Sequence, residues 1–121
     1  MFLLWTAMLM SITTFFVHLV VGGKFVAAPL LETDALPPAS KWLNYYCWHV
    51  TSIVIAFIAI AFGWMAMTGA DPAAIIFLAG LTASLAVLSA AVALKGGINP
   101  FRFPSTSLFA AVSLAGWGTL L

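Results

Sequence analysis

Charge is what this chain has least of. Its 121 residues include three carboxylates (Glu32, Asp34, Asp71) and four basic side chains (Lys24, Lys41, Lys95, Arg102), 6% charged in all. A soluble domain carries roughly 25%, so this composition cannot cover a surface facing water. Cysteine is nearly absent as well. The single Cys47 excludes an internal disulfide and any CxxC redox pair. There is no basic run, and the net charge of +1 implies no nucleic-acid partner. The apolar runs hold no carboxylate. The chain has neither a glycine-rich phosphate loop nor a nucleophile–base–acid set, which leaves little from which to build a full catalytic site. The start lacks a basic region and a small-residue cleavage site, so Met1 onward reads as a retained first helix rather than a removed signal.

What is present is apolar sequence. Hydrophobic residues make up 64% of the chain, and the mean hydropathy is +1.18. A bilayer core of ~30 Å needs about 20 such residues per helix. Four runs approach that length: 2–22, 42–67, 72–94 and 105–121. The expected fold class is therefore an all-α membrane protein, a four-helix transmembrane bundle in a single domain spanning residues 1–121. Gly22 and Gly23 should end the first helix. Ser40, after Pro37 and Pro38, reads as the N-cap of the second. Asp71 followed by Pro72 reads as the N-cap and first position of the third. The fourth run is short and spans only if it begins near Pro104 or Ser105. The segment Lys24–Ser40 reads as a long loop on the membrane surface.

The four basic residues fall in two loops, Lys24 and Lys41 in one, Lys95 and Arg102 in the other. The opposite side has only the turn Thr68–Asp71 and the chain ends. The positive-inside rule then predicts both basic loops in the cytoplasm and both termini non-cytoplasmic. Trp5, Trp64 and Trp117 fall toward the outer interface and Trp42 toward the inner one. Phe101 and Phe103 flank Arg102 as further inner anchors. The expected location is integral to a membrane, assigned to a bacterial cytoplasmic (inner) membrane. The lipid bilayer is the first partner, and other membrane subunits or a homo-oligomer are the next.

Helices in lipid associate through close packing and polar contacts. Ala79, Ala83, Ala86 and Ala90, with Gly80 and Ser84 beside them, should form such a face on the third helix. Ser107, Ala111, Ala115 and Gly118 should do so on the fourth.

Ionisable residues within spans are costly and tend to be paired or functional. Here these are His18 and His49, one near the inner end of each of the first two helices. Ser11, Thr14 and His18 share a helical face, as do Tyr45, His49 and Ser52. Antiparallel helices bring the two rings to similar depth, where they are expected to face each other or share a ligand. Three roles compete. The histidines tie the helices together structurally. They hold a ligand, with haem, a metal, a quinone or a lipid headgroup as candidates and His18 and His49 as the metal ligands if there is one. Or they relay protons. The function that follows is an accessory or partner-binding subunit of a membrane complex. The alternative is a ligand- or cofactor-binding membrane protein, a redox anchor or carrier, with a site at His18, His49, Tyr45, Ser11, Thr14 and Ser52.

Overall fold

Apolar runs give their backbone no partner but itself, so helix is the structure to expect, and the chain contains no strand. The computed structural model describes residues 1–121. Four helices follow in order: α1 (Phe2–Glu32), α2 (Pro38–Thr68), α3 (Pro72–Lys95) and α4 (Pro104–Gly118). The first three are long and apolar enough to cross a membrane. α4 has 15 residues, about 22 Å at 1.5 Å per residue, and falls short of a ~30 Å core. The helix in the expected fourth run, 105–121, is thus shorter than its three neighbours. The helix closes at its glycine-containing end, where the Thr119 hydroxyl donates to Gly116 O at 2.6 Å.

The expected loop after residue 22 is corrected. α1 runs straight through Gly22, Gly23 and Lys24 because its hydrogen bonding changes register instead of stopping. His18–Ala27 forms wide π-helical turns, closed by Ala28 N–H donating to Gly23 O. An α-helical turn, Ala28–Glu32, follows. The wide turn ends just before Pro29, a residue without an N–H that an unbroken α-helix tolerates poorly. Only residues 33–37 link α1 to α2. Lys41 Nζ donates to Thr33 O at 2.9 Å and so closes that link. α2 begins at Pro38, not after Ser40. Proline suits a first helical position, where its missing N–H would be unpaired anyway, and Ser40 lies within the first turn. At α3 the expected cap forms: the Asp71 carboxylate accepts from Ala73 N–H at 3.1 Å.

α1 lies between α2 and α4, and α4 lies between α1 and α3. The backbones of α2 and α3 stand further apart and meet through side chains. Phe62, Met65 and Ala66 share one buried cluster with Ile75 and Leu78. Close glycine contacts fix the antiparallel directions: Gly63 against Met8, Gly118 against Leu3 and Gly116 against Ala79. Both chain ends therefore lie at one end of the bundle. Lys24, Lys41, Lys95 and Arg102 lie toward the other, called here the basic end.

The small-residue face of α3 is turned from the expected one. Ala79, Ala86 and Ala93 are buried with Thr82, whereas Ala83 and Ala90 are half-buried and Ser84 is exposed. Gly80 has open space where a Cβ would stand. On α4 the buried small residues are Ser113, Ala115 and Gly116, while Ala111 and Gly118 are half-buried and Ser107 is exposed. Polar contacts reinforce this seam. Buried Ser113 donates to Ala79 O at 2.9 Å, and the Ser89 hydroxyl lies 2.7 Å from that of Ser105 and 2.8 Å from that of Thr106.

Candidate ligand site at the basic end

Hydroxyls inside an apolar bundle first satisfy themselves on their own helix. Ser11 donates to Ala7 O at 2.8 Å and Thr14 to Met10 O at 2.7 Å, so neither needs a partner across the bundle. His18, one turn further along, has no such option. Its Nε2 reaches across to α2, 2.9 Å from Ser52 Oγ and 3.2 Å from Trp48 O. The proton decides which contact is the bond. Nε2–H donates to the carbonyl or to the hydroxyl. Bare Nε2 accepts from the Ser52 hydroxyl and leaves the ring proton on Nδ1.

Trp48 organises the rest. Its indole stacks on His18 at 4.6 Å between ring centroids, and His49 meets it edge-on at 5.0 Å. Tyr45, half-buried, packs edge-on against His49 at 4.5 Å. His49 is exposed and makes no hydrogen bond within the chain. The structure thus brings His18 and Ser52 together. It places His49 and Tyr45 in an aromatic cluster on α2 that touches His18 only through Trp48. The two imidazoles share a neighbour but no hydrogen-bond partner. No group of three or more His, Cys, Asp or Glu side chains is placed to hold a metal ion.

Beside this cluster lies a cavity of about 640 Å³, walled by α1, α2 and the start of α4. Volumes of this order hold a small-molecule ligand. Most of the wall is apolar, including Val17, Val21, Phe25, Ile55, Leu108 and Phe109. Its polar members include Thr14, His18, Trp48 and Ser105, together with exposed Arg102. No Asp or Glu lines it. Gly22 sits at the polar corner, where a Cβ would stand 3.6 Å from Trp48 Nε1 and 3.8 Å from His18 Nδ1. Neither nitrogen has a hydrogen-bond partner, and no unpartnered side-chain nitrogen or oxygen is sealed inside the protein. Both are therefore accessible.

No family model, curated protein or solved structure matches this chain. The site is read from its own chemistry.

Three members of the site do not stand out in the sequence: Trp48, Gly22 and Arg102. The helical repeat offers a signal for two of them. Gly22 follows His18 by four residues, and Trp48 precedes Ser52 by four, so each shares a face with a residue already singled out. Arg102 is read as a topology marker, and only the packing of the α3–α4 connection shows that it reaches the cavity.

Proposed function

We propose that this small helical membrane protein binds an amphiphilic small molecule, with the ligand's apolar body in the cavity and its polar end at His18 and Trp48. In this reading the bundle sits in a bacterial cytoplasmic membrane, the basic end in the cytoplasm and both termini outside. The observation that carries it is the cavity, apolar along most of its wall with two unpartnered nitrogens at one corner. The test is to purify the protein in mild detergent and identify co-purifying amphiphiles by mass spectrometry, beside Val21→Trp. Val21 is exposed and lines the cavity, so the larger side chain fills it without disturbing the core. Wild type should retain a defined amphiphile that the variant loses. Equal retention would remove the reading.

A second reading, an accessory subunit of a membrane complex, is favoured by α3. Gly80 and exposed Ser84 give its outward side room for a close helix contact. Co-purification of a larger membrane subunit, lost with Gly80→Leu, would support it.

A further inference from the structure

Resting on that amphiphile reading, we infer that the ligand carries an anionic head group, a carboxylate or phosphate, on an alkyl chain drawn from the membrane. Three observations converge on the head. Arg102 shares the cavity with His18 and Trp48, and no acidic side chain in the lining competes for it. Trp48 Nε1–H can only donate, and it is unpartnered. His18 Nδ1, the other unpartnered nitrogen, faces the same gap above Gly22, within 4 Å of the position a Cβ would fill.

The imidazole's second contact fits this role. With the Ser52 hydroxyl donating to Nε2, the ring proton sits on Nδ1. If the ring is fully protonated, Nδ1 still carries a proton while Nε2 donates to Trp48 O or Ser52 Oγ. In these two forms an anion at Gly22 meets two N–H donors, and it selects them over the neutral ring that keeps its proton on Nε2, while the Ser52 hydroxyl donates to Trp48 O, and leaves Nδ1 bare; the Arg102 guanidinium supplies the charge. Charge-assisted bonds of this kind are about twice as strong as neutral ones. Glycine at position 22 leaves the space the head would occupy. The apolar wall of Val17, Val21, Phe25 and Leu108 is chemistry for an alkyl chain, which a free anion would not use.

The experiment uses the full chain in nanodiscs of zwitterionic lipid. Dodecyl phosphate, dodecanoate, dodecanol and inorganic phosphate are titrated calorimetrically, with empty nanodiscs as blank. Wild type should bind the two anionic alkyl probes at least about tenfold more tightly than dodecanol or inorganic phosphate. Arg102→Gln and Gly22→Ala should each lose about tenfold for the anions, the scale of one charge-assisted hydrogen bond. Gly22→Ala should keep its melting temperature, because its Cβ meets only ordinary contacts at 3.6 and 3.8 Å. Dodecanol binding as tightly as the anions, with Arg102→Gln silent, would overturn the anionic head and leave the amphiphile reading standing. Inorganic phosphate binding as tightly as dodecyl phosphate would overturn the alkyl component. Failure of all three alkyl probes would remove both readings.

Discussion

At the residue scale His18 is the one ionisable side chain that crosses from one helix to another. Its partner is Ser52, and His49 touches the pair only through Trp48. Interhelical polar contacts in bilayers average about 0.6 kcal/mol and reach about 1.7 kcal/mol. A double-mutant cycle of His18→Ala with Ser52→Ala should therefore give a coupling in that range, measured by unfolding in detergent. The same cycle of His18→Ala with His49→Ala should give a smaller coupling, because the two rings meet only through their shared neighbour Trp48. Strong coupling between the histidines would mean that they close on a common ligand in solution. Position along the helices was readable from the sequence: it put the rings of His18 and His49 at similar depth, with Ser52 one turn from His49. Direction was not. Tyr45, His49 and Ser52 share a broad face, and a tryptophan on that face decides which of them the neighbouring helix reaches.

At the scale of elements, glycine contacts separate seam from surface. A Cβ on Gly116 would stand 3.0 Å from Ala79 Cβ and 3.3 Å from Phe62 Cζ, whereas one on Gly80 would meet nothing within 4 Å. Overpacking a tight interface costs typically about 1–3 kcal/mol. Gly116→Leu should be destabilised by that amount, and Gly80→Leu in the isolated protein should change stability by less than about 0.5 kcal/mol. Thermal unfolding of both variants in one detergent reads the difference, and equal losses would place Gly80 in a contact between copies. Helix type and the Asp71 cap were legible because they rest on local composition. The end of α1 was not. Gly-Gly-Lys followed by Pro29 reads as a stop by every local rule, but the change to π-helical register carries the chain past it. The seam on α3 was hidden for a related reason. Alanines recur on more than one face, and only α4 packing through Ala115 and Gly116 shows which face is used.

At the scale of the whole molecule, Gly118 lies against Leu3, so the two chain ends emerge together. The four basic residues lie toward the opposite end. A reporter active only outside the cytoplasm, fused after Leu121, should work, and so should one fused before Met1. A fusion at Leu121 that is active only in the cytoplasm would sink this orientation. The disparity in helix lengths has a further consequence. α1 and α2 have 31 residues each, about 46 Å of helix, whereas α4 offers about half that beside them. Short of Lys24 and Lys41 the apolar parts of α1 and α2 run about 33 and 40 Å, so lipid meets a thicker apolar wall there than along α4. Such mismatch costs fractions of a kcal/mol per Å and is relieved by local thinning or tilt. The protein therefore sorts the lipids around it by length: in a mixed membrane the shorter lipids should gather along the flank of α4 and the longer ones along α1 and α2.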